Sequence, residues 1–63
     1  MTFAEKIKQA RLSLFLSQEK FAQELGVSFA TVNRWERGLC EPHYDGQKAF
    51  FEFCKKNNIN FED

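Results

Sequence analysis

The sequence lacks an excess of charge of either sign, since its 63 residues hold nine Lys and Arg against nine Asp and Glu. This balance argues against a basic tail that coats nucleic acid without selectivity, although it leaves room for a local positive patch. Cysteine and histidine are scarce too. Two cysteines are too few for a disulfide-dense scaffold, and Cys40, His43 and Cys54 fall one ligand short of a structural zinc site. We therefore expect no metal and no cofactor.

Targeting and catalytic signals are also missing. The first residues, MTFAEKIKQ, are charged and helix-like, and no apolar run in the chain is long enough to span a membrane. There is no Gly-rich phosphate loop, and no nucleophile has a suitable base and orienting group. We expect a cytoplasmic protein that is not an enzyme and has no evident small-molecule ligand.

What the sequence does contain is helical periodicity. Apolar residues at helical spacing, with Thr2 and Ser17 as N-caps, predict an all-α domain over residues 1–63. Eight Phe and one Trp compensate for the small core volume of such a short chain. No strand pattern or internal repeat is found. The predicted helices span about residues 3–13, 17–25, 28–37 and 46–56.

Helices two and three are short and meet at a tight corner. Gly26 accepts a left-handed conformation without a Cβ penalty, and Ala22 is small where the two helices cross. Val32 and Trp35, one turn apart, are expected to face inward from the third helix. Together these features predict a helix-turn-helix unit.

Three parts of the chain carry a resemblance to a known family. Arg11, the run LSQEKFAQELGVSFATVNRWERG from Leu16 to Gly38, and Pro42 resemble the phage-repressor and Cro-type (XRE-like) helix-turn-helix family. The resemblance implies a compact domain of four to five helices that places its third helix in the major groove of double-stranded DNA. It also implies a bacterial or phage transcription regulator, repressor-like in its DNA-binding domain, that forms a weak homodimer.

The resemblance assigns roles to individual residues. It implies that Arg11 late in helix one pairs with Glu36 late in helix three, as a structural tie. The implied DNA contacts fall into two sets. The candidates for base contacts are Phe29, Ala30, Asn33 and Arg34, and the candidates for backbone contacts are Gln18, Ser28, Thr31 and Arg37.

Several points remain open in the sequence. Phe29 and Ala30 replace the polar base-readers of many relatives; they could press on thymine methyls, and Phe29 could instead lie in the core or meet a partner. Phe15 stands where relatives often carry glycine, so a positive φ there would be strained. The apolar residues Phe51, Ile59 and Phe61 could cap the core, meet a second copy or face a further domain. The alternative functions are a protein-interaction module and the DNA-targeting domain of a larger DNA-modifying enzyme, with the chain as the N-terminal part of a longer protein.

Overall fold

The computed structural model describes residues 1–61, which form four α-helices and no strand. Helix α1 spans Phe3–Ser13, α2 spans Gln18–Leu25, α3 spans Phe29–Glu36 and α4 spans Tyr44–Lys56. The all-α class predicted from the periodicity is confirmed. None of these four helices combines the length and apolar character that crossing a bilayer requires.

Side-chain caps fix the starts of the first two helices. The Thr2 hydroxyl accepts a hydrogen bond from the Glu5 backbone N–H at 3.2 Å, and the Glu5 carboxylate accepts one from the Thr2 N–H at 2.8 Å. This reciprocal pair is a capping box. At α2 the Ser17 hydroxyl accepts from the Lys20 N–H at 3.0 Å. The two N-caps predicted from the sequence are therefore present.

The start of α4 differs from the prediction. The helix begins at Tyr44, two residues before the expected start at about residue 46, and Gly46 lies inside its first turn. A Cβ atom at Gly46 would lie 2.9 Å from the Pro42 Cβ and 3.1 Å from the Trp35 ring. Glycine is therefore needed at this position for close approach, and it does not mark a helix boundary.

One face of each helix contributes to a single core. The Phe21 ring meets the rings of Phe50 and Phe53 edge-on, at centroid distances of 6.4 and 5.2 Å. Phe3 in turn meets Phe50 at 5.3 Å and Trp35 at 6.2 Å. The aromatic contacts thus tie α1 and α2 to α4, and α3 to α1. The buried hydrophobic residues of this core are Ile7, Ala10, Phe21, Ala22, Leu25, Val32, Trp35, Phe50, Phe53 and Cys54.

The segment after α4 folds back on the core. Ile59 donates its backbone N–H to the Cys54 carbonyl at 2.8 Å, and its side chain packs against the core. The Phe61 ring stacks on Phe50 at 6.1 Å. Of the three roles considered for these apolar residues, Ile59 and Phe61 take that of a cap on the core. Phe51, which lies in α4, remains 50% exposed.

Phe15, in the loop between α1 and α2, adopts a left-handed backbone conformation with φ of 57°. Its side chain is 95% exposed. A bulky residue in this conformation stores strain of about 1–2 kcal/mol. The loop therefore has the positive φ that suits glycine. Because the Phe15 side chain is almost fully exposed, its burial does not offset this strain.

Candidate nucleic-acid interface

The corner between α2 and α3 is set by Gly26. Its φ of 74° places it in the left-handed region, and a Cβ there would have no atom within 4 Å, so the backbone angle and not space requires glycine. The Val27 N–H bonds to the Ala22 carbonyl at 3.0 Å, which closes α2. Ser28 then caps α3 by accepting from the Thr31 N–H at 3.1 Å. Ala22 itself is buried, as its place at the crossing requires.

The α3 helix has one buried face and one open face. Val32 and Trp35 are buried as predicted, with exposures of 0% and 4%. Phe29 is 52% exposed, which excludes the core position considered for it. The remaining candidates on α3 and at its ends lie at the surface or partly so: Ser28, Ala30, Thr31, Asn33, Arg34 and Arg37.

A polar network underlies the open face. The Arg11 guanidinium donates to both carboxylate oxygens of Glu36, at 2.7 and 3.0 Å, and to the Leu16 carbonyl at 2.9 Å. The Gln18 amide donates a third bond to Glu36 at 3.2 Å. The side chains of Arg11 and Glu36 are only 13% and 5% exposed, so their charges compensate each other inside the fold.

Gln18 connects this network to the face of α3. Its carbonyl oxygen accepts a hydrogen bond from the Asn33 amide at 3.2 Å. Because an amide nitrogen carries two hydrogens and its oxygen accepts two bonds, Asn33 keeps one donor and its own carbonyl free. The structure therefore brings together two residues that the resemblance had assigned to different parts of the DNA.

The exposed charge of α3 and its C-cap is entirely positive. Arg34 and Arg37 are exposed, and the sole acidic residue of the helix, Glu36, is turned inward onto Arg11. Arg34 lines an open groove between α3 and the loop that leads to α4, and Glu41 and Asp45 line it as well. Among residues 1–61, neither acid is ion-paired with Arg34, which leaves the guanidinium available to an outside ligand.

Two features of the site were not foreseen from the sequence. The bond from Gln18 to Glu36 joins residues 18 positions apart, and no local pattern signals it. The ring of Trp35 packs against Gly46, the position at which the sequence predicts only the start of a helix. Only the fold places these pairs together.

The cysteine thiols are separate from this face. Cys54 is buried in the core, and desolvation raises the pKa of its thiol to about 11. Cys40 is exposed in the loop after α3. In the part of the chain that the structure describes, no cluster of three or more His, Cys, Asp or Glu side chains could hold a metal ion.

A model of the helix-turn-helix family matches residues 7–43, which is more than half of the chain and includes α2, the corner and α3. The chain belongs to the XRE-type helix-turn-helix family. The matched segment contains the corner at Gly26 and both residues of the ion pair between Arg11 and Glu36.

Two curated relatives of this helix-turn-helix chain are transcriptional regulators by name. The HTH-type transcriptional activator BcrR of Enterococcus faecalis is 36% identical over 53 residues, which are 84% of this chain and 26% of that protein. An uncharacterized transcriptional regulator in the ATPase CF(0) region of Rhodospirillum rubrum is 41% identical over 34 residues, which are 54% of this chain and 32% of that protein. The chain thus spans about a third or less of either relative. No solved structure matches it significantly.

Proposed function

We propose that this helix-turn-helix domain binds double-stranded DNA in a sequence-specific manner, with α3 in the major groove, as part of a transcription regulator. The observation that carries the proposal is the charge of α3: Arg34 and Arg37 are exposed while Glu36 is neutralised by Arg11. A chain with no net charge thereby presents a local positive face to phosphates and base edges.

Base readout is assigned to Arg34 and Asn33. A guanidinium donates two bonds to guanine O6 and N7, and an amide pairs with the adenine edge, each worth about 1–3 kcal/mol of discrimination. The free donor and free carbonyl of Asn33 are the two groups that adenine requires. Phe29 and Ala30, both exposed, would contact thymine methyl groups.

Backbone contacts are assigned to the helix starts and to Arg37. The hydroxyls of Ser28 and Thr31 lie 2.8 Å apart, so one proton is used between them and the other can serve a phosphate. The Gln18 amide has one hydrogen left after its bond to Glu36. Phosphate also suits helix N-termini because their free N–H groups point outward. Such contacts fix register without carrying sequence information.

The proposal is tested by selection from a randomised duplex pool at two salt concentrations. Wild type is expected to yield a motif, and Arg34→Ala is expected to blur it at one position. Arg37→Ala should weaken all sequences equally and reduce the salt slope by about 0.9, the value for one phosphate. Lys8→Ala, an exposed cation on α1, is the charge-matched control and should change neither quantity. Unselective binding by wild type contradicts the proposal.

A second function, a protein-interaction module, is favoured by one observation. Phe29 is 52% exposed on the face that would meet DNA. In that case Phe29→Ala abolishes a stable hetero-complex while Arg34→Ala leaves it intact. A DNA-targeting role within a larger DNA-modifying enzyme would instead give the same selected motif as a regulator, and the parent protein would distinguish the two.

A further inference from the structure

The groove beside Arg34 holds more negative than positive charge. Arg34 lines it from α3, Glu41 lines it from the loop that leads to α4, and Asp45 lines it from the first turn of α4. Cys40 and His43, which carry no formal charge at pH 7, lie in the same lining. The formal charges of the lining are therefore one positive and two negative.

Within residues 1–61 these three charges are not paired. The side chains of Arg34, Glu41 and Asp45 are exposed and make no ion pair or hydrogen bond with any residue of that range. The guanidinium thus keeps all its N–H donors, while the two carboxylates share with it a groove of about 460 Å³. The carboxylates therefore make the electrostatic potential around the guanidinium less positive without occupying its donors.

Two kinds of acceptor on DNA respond differently to such a site. A phosphate carries a full negative charge, so it is attracted by an isolated arginine and repelled by neighbouring carboxylates. The O6 and N7 atoms of guanine belong to a base without net charge, and their recognition depends on the geometry of two donors. A guanidinium flanked by two carboxylates therefore loses much of its attraction for phosphate and keeps the paired N–H groups that guanine requires.

We propose that Glu41 and Asp45 determine the selectivity of DNA binding, because they keep Arg34 from phosphates and so leave it free to read a base. This inference rests on the proposed function and adds to it two residues that act by repulsion. Arg37 provides the contrast, since it is exposed at the C-cap of α3 and lies outside this groove. The two arginines thus differ in the charges around them, which suits Arg34 to bases and Arg37 to phosphate.

The inference is tested by neutralising both acids, in Glu41→Gln with Asp45→Asn, and measuring Kd for the motif selected by wild type and for a duplex of equal length that lacks it. Because exposed charges interact weakly, binding to the motif-free duplex should become about three- to tenfold tighter, and binding to the motif should change less than about twofold. The ratio of the two affinities should therefore fall. If Arg34 then takes up one phosphate on the motif-free duplex, the salt slope there should steepen by up to about 0.9.

Two comparisons isolate the role of Arg34. In an Arg34→Ala background, the same neutralisation should give no preferential gain on the motif-free duplex. Glu24→Gln with Glu52→Gln changes the net charge by the same amount, at exposed acids that line a separate groove between α2 and α4. This charge-matched control should alter binding to the two duplexes equally.

The outcomes separate the inference from the proposed function. If wild type selects a motif and neutralisation tightens binding to both duplexes equally, the inference is overturned and the proposed function stands. A preferential gain that persists in Arg34→Ala also overturns it. If wild type selects no motif, the proposed function fails and the inference fails with it. Because a carboxylate in the first turn stabilises a helix, Glu41→Gln alone replaces the double variant if circular dichroism shows that helix is lost.

Discussion

The side-chain amide of Asn33 donates a 3.2 Å hydrogen bond to the side-chain carbonyl of Gln18, so the open face of α3 is tied to the start of α2. Gln18 is in turn bonded to Glu36, and Glu36 to Arg11. Asn33 is thereby oriented before any ligand arrives, and its orientation depends on residues that do not lie on α3's exposed face.

This relationship predicts coupled effects on DNA readout. If Asn33 reads a base as proposed, Gln18→Ala should relax the preference at that base pair, in addition to any loss of the phosphate contact proposed for Gln18. In a double-mutant cycle with Asn33→Ala on the selected operator, we expect a coupling of about 0.5–1.5 kcal/mol. Thr31→Ala, a backbone candidate outside the network, should show no coupling to Asn33→Ala. Additive losses for Gln18 and Asn33 would count against the orienting role.

The ion pair of Arg11 and Glu36 predicts a large loss of stability. Arg11→Ala leaves a carboxylate that is only 5% exposed without its cation, which should lower the free energy of unfolding by about 3 kcal/mol or more. Urea unfolding of the single and double variants measures both the loss and the coupling. Lys8→Ala on the same helix should stay within about 0.5 kcal/mol of wild type. If Arg11→Ala behaves like Lys8→Ala, the pair is not a structural tie.

Phe15 predicts a stabilising substitution. Because Phe15 has a positive φ and a side chain that is 95% exposed, Phe15→Gly should relieve strain and raise stability by about 0.5–1 kcal/mol, after the entropy of glycine in the unfolded chain is counted. Asn58 also has a positive φ, of 56°, but asparagine tolerates it, so Asn58→Gly should gain less. Thermal unfolding of both variants measures these changes in stability. A loss of stability in Phe15→Gly would contradict the prediction that the Phe15 backbone is strained.

Substitution by alanine should destabilise the fold at both Gly46 and Gly26, but for different physical reasons. Gly46→Ala places a methyl group 2.9 Å from the Pro42 Cβ, and although alanine favours helix, overpacking should cost about 1–3 kcal/mol. Gly26→Ala meets no atom within 4 Å and should cost about 1–2 kcal/mol from its φ of 74° alone. Removal of the Pro42 Cβ, in Pro42→Gly, should partly offset the cost of Gly46→Ala, measured against Pro42→Gly alone, and should not offset the cost of Gly26→Ala. Chemical denaturation of the three single variants and the two double variants measures these differences.

The cysteines predict a difference in reactivity and a pH effect. Cys40 should react with a thiol reagent in the native protein, whereas Cys54 should react only on unfolding. Burial raises the pKa of Cys54 from 9.0 to about 11, so the unfolded chain loses this proton first as the pH rises. The stability contributed by Cys54 is therefore full below pH 9 and is lost towards pH 11. The free energy of unfolding of Cys54→Ala should therefore fall less between pH 9 and pH 11 than that of wild type. An equal fall in the two proteins would contradict the raised pKa of Cys54.

Much of this architecture follows from local sequence chemistry. The capping box of Thr2 and Glu5, the Ser17 cap and the left-handed Gly26 depend on neighbours within a few residues, so the starts of α1 and α2 and the corner could be predicted. The place of Gly46 inside α4 could not, because glycine is required there by the Pro42 side chain and by the ring of Trp35, which reaches this position only in the folded chain. The same holds at the site. The exposed positions of α3 follow from helical periodicity, whereas the bond between Gln18 and Asn33 arises only when two helices cross.

The packing of Trp35 has a practical consequence for spectroscopy. It is the one tryptophan of the chain, it is 4% exposed, and its ring contacts Phe3 and the backbone of α4 at Gly46. Its neighbour Arg34 is exposed and lines an open groove that Trp35 also lines. Intrinsic fluorescence therefore reports the docking of α3 on α4 without any label. Loss of that docking would expose the indole ring to water, so the emission of this one residue can be used to follow unfolding.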